Sequence, residues 1–392
     1  MLKYLKFYES RGITISKAEG QYVWDVEGNK YLDFHTGHGV AFLGHRNPHI
    51  VEAIKHQLDE VVSLSTSFNV RIRDEMLETL SRVLPQRFEY VTLLNSGSEA
   101  VELALKIARK ATKRRKIVSF TKAFHGRTLG ALSVTGNPRY KKFFEPLLPE
   151  VVIIPFNNID ALDNNIDGST AAVIVELIQG EGGVNIAKQE FIKALRKKCN
   201  EVNAVLIFDE VQTGFGRTGR VWAFEYYNVE PDILVAGKAI GGGFPVSLVA
   251  IPEYIAKTIE PGDHGSTYGG NPLACAAVKA STEVLLHDNV PRRAFAQGSK
   301  LIGILKHTLE NHKLIREIRG LGLMIGIELR ITPGNIIRCM QENHVLALKA
   351  GATVVRLLPP YLITEEDISW GVKVIAKCIN EELSRKTITR TT

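Results

Sequence analysis

Between residues 90 and 251 the chain alternates two hydrophobic patterns. Short, mostly apolar runs rich in branched residues occur at 90–94, 117–120, 151–154, 172–176, 204–208, 233–237 and 247–251. Between them, stretches such as 99–110 and 189–199 carry apolar residues at helical spacing. Continuous apolar runs of this length predict strands buried on both faces, the kind found in parallel sheets covered by helices. Their alternation with amphipathic helices predicts an α/β layered domain.

The flanking regions read differently. Residues 21–25 and 30–34 bracket Val26-Glu27-Gly28-Asn29, a hairpin with a glycine-containing turn. Beyond about residue 280 the pattern changes to long helices with short strands near 326–329 and 354–357. The expected organisation is a segment of a small domain at 1–50, a large α/β domain at 51–280, and the rest of a small α+β domain at 281–392. A frayed tail is expected over 384–392.

At 392 residues the chain exceeds one simple core, and 45% hydrophobic with 23% charged residues is ordinary for a globular protein. Its beginning has no apolar h-region and no run reaches a membrane span, so a cytoplasmic protein without membrane contact is expected. Cys199, Cys275, Cys339 and Cys378 are widely spaced without a CxxC, so neither a zinc site nor a disulfide framework is indicated. The net charge of +7 favours acidic partners. The cationic run Arg109, Lys110, Lys113, Arg114, Arg115 and Lys116 reads first as a solvated helix end, second as a docking patch.

Chemistry gathers where the apolar runs stop. Asp209 closes one run; Lys238 closes another and is followed by Gly241, Gly242 and Gly243. Ligands of open parallel sheets sit beyond the carboxyl ends of the strands, so opposite charges are directed at one crevice. A lysine that bonds an aldehyde and an acid that keeps a ring nitrogen protonated suit pyridoxal phosphate. Asn95-Ser96-Gly97-Ser98-Glu99 follows another strand, with Ser96 and Glu99 at capping-box spacing and N–H groups suited to a phosphate. Phe124 would stack on a planar ring, Arg127 would grip a carboxylate, and the Gln179–Gly183 stretch adds Glu181 at the same edge.

Two other classes fit the chain less well. Gly214-Phe215-Gly216-Arg217-Thr218-Gly219 fits the spacing of a dinucleotide fingerprint, but five residues separate it from its strand and Asp232 precedes the next strand instead of ending it. A nucleic-acid-binding module lacks any basic motif interleaved with aromatics.

The segments Asp209-Glu210-Val211-Gln212-Thr213-Gly214 and Gly237-Lys238-Ala239-Ile240-Gly241-Gly242-Gly243 resemble the signature of class III, ornithine-type aminotransferases. The stretches at 95–100, 124–128, 179–183, 264–272 and 319–324 match in the same order, so the resemblance spans about residues 20 to 360. It implies the PLP-dependent transferase fold of type I, with a large mostly parallel α/β domain and a smaller α+β domain built from both termini. It also implies that Lys238 is the Schiff-base lysine, with Asp209 on the pyridinium nitrogen, Gln212 on the ring hydroxyl, and Phe124 and Val211 on the ring faces. Glu210 belongs to the same signature and is counted with the cofactor site. Gly97 and Ser98 would hold the phosphate. Thr267 would reach the cofactor of a partner subunit in a homodimer, with Ser266 near the substrate. The lysine must titrate low to carry protons.

By the same resemblance, Arg356 takes the α-carboxylate of glutamate, Glu181 masks it for the other substrate, and Arg127 takes the distant carboxylate. Leu177 stands where the family commonly has proline, a change expected to be local. Residues 345–351 and Arg11-Gly12 are similar to the branch acting on lysine or ornithine joined to an acidic amino-group carrier protein. That implies ω-transamination with 2-oxoglutarate and glutamate in lysine, and possibly arginine, biosynthesis. N-Acetylornithine is the alternative substrate.

Overall fold

The computed structural model describes residues 2–391, with side chains to Lys386. Its centre is a seven-stranded sheet. Across it run Tyr90–Leu94, Ser247–Ile251, Ile233–Ala236, Val205–Glu210, Thr170–Val175, Lys116–Phe120 and Val151–Ile154. Only Ser247–Ile251 runs antiparallel to its neighbours within this sheet. Although the strands are apolar on both faces, their side chains divide by alternation. Leu206, Phe208 and Leu234 enter one core, whereas Val205, Ile207, Ile233 and Val235 enter another with the helix Gly97–Thr112.

Every expected strand of the sheet is present, three with the expected bounds and four with an end shifted by one or two residues. The informative shift is at Val205–Glu210, which continues through Asp209 and Glu210 instead of stopping at Phe208. Both carboxylates are buried, and each is held by hydrogen bonds that replace water. Leu177 is buried in the main core, and its carbonyl accepts from Ala187 N at 2.9 Å.

Both ends of the chain share structure. The strands Ile15–Glu19, Tyr22–Asp25 and Lys30–Asp33 form a meander whose last member pairs in parallel with Val345–Leu346. A second small sheet orders Ile315–Leu321, Met324–Leu329, Val354–Leu357 and Leu348–Ala350. The terminal helix runs Glu365–Thr391; Thr392 and the side chains after Lys386, part of the tail expected to fray, lie outside the described residues. No helix among the described residues is long and apolar enough to cross a membrane.

The cysteine reading needs correction. Cys339, on the helix Gly334–Glu342, is bonded to Cys378 on the terminal helix, with Cα atoms 5.6 Å apart. Their separation of 39 residues carries no local signal; helix packing alone brings them together. Closing a loop of that length removes about 4 kcal/mol of unfolded-chain entropy. Cys378→Ser is expected to lower the thermal midpoint by on the order of 4 °C. Differential scanning calorimetry should show the same drop when wild type is reduced, and none when the variant is.

Candidate active site

Strand register makes the site. Asp209 lies opposite Val235 and Glu210 opposite Ala236, so Lys238 emerges beside Asp209 at the carboxyl edge of the sheet. Both line a cavity of about 380 Å³, together with Phe124, Val211, Gln212 and Glu181. Gly97 and Ser98 line it too. They begin a 16-residue helix whose N-cap, Ser96, accepts from Glu99 N at 3.3 Å. The Glu99 carboxylate reaches Asn95 N, one residue further back than the box spacing implies. A Cβ at Gly97 would meet Val211 at 3.0 Å, and one at Gly126 would lie 2.2 Å from Ser98 Oγ. Glycine at these two positions keeps the helix end open to an anion.

Asp209 is 5% exposed and is anchored twice: His125 Nδ1 donates to Oδ2 at 2.7 Å, and Val211 N donates to Oδ1 at 3.1 Å. His125 was not singled out from the sequence, and neither was Glu176. Glu176 accepts from Phe124 N at 2.8 Å and from Gly180 N at 3.2 Å. It thereby ties the cavity's aromatic to the segment bearing Glu181. Burial pushes its carboxyl up to about 7 against the pull of His125, and the Asp209 charge adds to the rise. Its signal was its place at the end of an apolar run, the same signal as Asp209.

Lys238 has φ +47°, a strained conformation for a residue with a side chain, and one concentrated at functional sites. Burial lowers its pKa to about 8; Arg356 acts in the same direction, while Glu181, Asp209 and Glu176 oppose it. The amine is therefore partly neutral near physiological pH, as a nucleophile or proton carrier requires.

Arg356 is fully buried. Its Nη2 donates to Glu181 Oε1 at 2.6 Å and its Nη1 to Gln212 Oε1 at 3.0 Å. Burial alone would raise the Glu181 pKa; Arg356, Lys238 and His38 outweigh it, and the carboxyl is held below its usual range. The latch stands at the cavity wall, with the carboxylate in front of a buried guanidinium.

Four expected residues sit outside this cluster. Arg127 is exposed, its guanidinium 4.1 Å from the Tyr140 ring centre. Thr267 is exposed, and Ser266 Oγ accepts from Asn95 Nδ2 at 3.3 Å. Glu210 turns away from the cavity: its carboxylate accepts from Ala223 N, Phe224 N and Thr213 Oγ1, and burial pushes it up to about 7. The glycine run at 214–219 is followed by the short 3-10 turn Ala223–Tyr226, not by the long helix a dinucleotide would need. In the cationic run, Lys116 pairs with Asp167 at 2.8 Å, Lys110 pairs with Asp263, and Arg114 donates to Val202 O at 2.7 Å. Half of that run is thus spent on structural ties.

This geometry has counterparts. The chain matches the class-III aminotransferase family over residues 7–379 and belongs to it. It is 55% identical to a LysW-aminoadipate semialdehyde/glutamate semialdehyde transaminase of Sulfurisphaera tokodaii, over 99% of this chain and 100% of that protein. It is 42% identical to an acetylornithine aminotransferase of Archaeoglobus fulgidus, over 95% and 96% of the two chains. The fold superposes on an ornithine aminotransferase of Toxoplasma gondii with TM-score 0.93 and 33% identity, over 97% of this chain and 92% of the other. That crystal carries partially occupied PLP at its active site. The protein is an aminotransferase.

The lowered lysine pKa is directly measurable. In protein stripped of bound carbonyl compounds, reductive methylation of Lys238 followed by mass spectrometry should reach half its maximal rate near pH 8, because burial lowers its pKa to about 8. Exposed lysines should need a pH nearer the ordinary value of about 10.4.

Proposed function

We propose that the protein moves the terminal amino group of carrier-protein-linked lysine, and of the ornithine counterpart, to 2-oxoglutarate, yielding the linked semialdehyde and glutamate. Pyridoxal phosphate is the cofactor we assign to the cavity, where it would supply an electron sink for the carbon that loses its proton. The residues fit that group. Asp209, held by His125, suits a protonated ring nitrogen, and Lys238 suits an aldehyde. The open end of the helix Gly97–Thr112 suits a phosphate. Phe124 and Val211 offer apolar faces for a ring, and Gln212 a polar group at its edge.

On this reading Lys238 carries the proton between donor and acceptor carbons, its depressed pKa matching the task. Asp209 would keep positive charge on the ring of the bound group. Glu181 covers Arg356 while an amine without a neighbouring carboxylate is bound, and uncovers it for glutamate. This latch is the observation that carries the proposal, because one cavity must serve two differently charged substrates. Exposed Thr267, with Ser266 beside it, is available to complete a second active site in a homodimer, and Arg127 to hold the distant carboxylate. The reaction is assigned to the cytoplasm.

The carrier-linked substrate is preferred over acetylornithine for three reasons. The 55% identical relative is named for a LysW-linked substrate, and the chain's charge of +7 would steer an acidic carrier. Arg11 Nη2 also donates to Ala347 O at 2.6 Å, joining the two segments that resemble the carrier-linked branch. Acetylornithine is the second reading, supported by the 42% identical relative.

Side-by-side assays decide between them. The carrier-linked semialdehyde should show the higher kcat/KM at low ionic strength, and its advantage should shrink as salt screens the encounter. Equal efficiency with acetylornithine at low salt defeats the carrier assignment. Wild type should show a yellow absorption band bleached by borohydride, whereas Lys238→Ala should lack the bleachable band and turn over at least roughly 10³-fold more slowly.

A further inference from the structure

A latch of this kind raises a problem of charge. When a substrate carboxylate takes Arg356, Glu181 has to leave it, and a partly buried carboxylate deprived of its cation is costly. His38 is placed to answer this. Its Nδ1 lies 3.9 Å from Glu181 Oε1, the same oxygen that accepts from Arg356.

The backbone presenting His38 is strained. Thr36, Gly37, His38 and Gly39 have φ of 45°, 60°, 61° and 94°. A β-branched residue and a histidine rarely adopt such values, and persist there only where neighbours over-determine them. Here the neighbours include the segment that follows Arg356. Thr36 Oγ1 donates to Leu358 O at 2.7 Å, two residues beyond Arg356, and Thr36 N donates to Asp33 Oδ1 at 2.9 Å. His38 N donates to His35 Nδ1 at 3.3 Å. Burial drives the His35 pKa down to about 4, which keeps that ring a neutral acceptor. The Tyr8 ring lies 5.4 Å from the His38 ring, bringing the N-terminal segment against it.

We propose that His38 receives Glu181 when a substrate carboxylate occupies Arg356, and is thus a positioning residue that sets how well the enzyme accepts dicarboxylates. This rests on the proposed role of Arg356 and Glu181 as a carboxylate gate. The groups facing His38 are Glu181, Arg356, Lys238, Arg11, His35 and Tyr8. Burial lowers its pKa first; Arg356, Lys238 and Arg11 lower it further, and Glu181 raises it. Neutralising Arg356 and moving Glu181 closer shifts the balance upward, so dicarboxylate binding takes up a proton. Affinity must then be greatest at low pH and fall as pH rises through the bound-state pKa.

Glutarate, a dicarboxylate without an amine, is the probe, titrated into holoenzyme by calorimetry between about pH 6 and pH 8. Wild type should bind it more weakly at the higher pH. His38→Asn, which tolerates positive φ, should bind it about tenfold more weakly at the lower pH and lose the pH dependence. Its kcat/KM for the amine half-reaction should stay within about twofold of wild type. Glu181→Gln, which leaves the strained turn untouched, should also abolish the pH dependence. Glutarate affinity in His38→Asn matching wild type, or pH dependence surviving in Glu181→Gln, overturns the role of His38. Arg356→Gln separates the two levels: lost glutarate binding there with normal binding in His38→Asn sinks His38 alone. Retained binding in Arg356→Gln sinks the gate and the inference with it.

Discussion

The structure turns on the desolvation of one amine. Lys238 is withdrawn from water at the carboxyl edge of a parallel sheet, and its charge is balanced by carboxylates on two neighbouring segments and opposed by the buried guanidinium of Arg356. Each of those groups is carried by a different strand or loop, so their mutual distances depend on the register of the sheet. A slip of one residue between Val205–Glu210 and Ile233–Ala236 would turn Asp209 to the opposite face and leave a buried carboxylate without His125. The apolar filling on both faces makes such a slip costly. The packing around the central sheet therefore fixes where these groups meet.

Around that amine, charge is managed by burial and by specific hydrogen bonds more than by solvent. Glu176 and Glu210 are both pushed up to about 7, yet they serve different ends. Glu176 links the backbone at Phe124 to that at Gly180, so the aromatic wall and the latch segment share one anchor. Glu210 pins the turn after the site. Arg217 is a buried cation held by the carbonyls of Gly39, Leu323 and Pro359, with burial lowering it to about 9. It ties the amino-terminal turn, the carboxyl-terminal strands and the large sheet together. The glycine-rich run that suggested a dinucleotide loop is the setting of this tie.

What could be read in advance follows from locality. Strand and helix content of residues 90–251 was legible because branched apolar runs have few other uses in water. Asp209, Lys238 and the Ser96–Glu99 cap were legible because each follows directly on such a run. Strand ends were less so: the sequence suggests that a charge stops a strand, whereas Asp209 and Glu210 stay within one because backbone and side-chain donors receive them. His125, in the loop after Lys116–Phe120, and Glu176, directly after Thr170–Val175, lay in plain view, but nothing local distinguishes a residue that holds Asp209 from one that caps a turn.

The sequence by itself determined the alternating architecture, the amine and the acid, and the capped helix start at Ser96–Glu99, since each depends on residues within a few positions of one another. Tertiary structure alone decided the latch and its surroundings. Arg356 meets Glu181 across 175 residues and Gln212 across 144, and Arg11 meets Ala347 across 336. The bond between Cys339 and Cys378, and the approach of His38 to Glu181, are of the same kind. Contacts between such distant residues are fixed by how layers pack, and packing is a property of the whole core that no local spacing encodes.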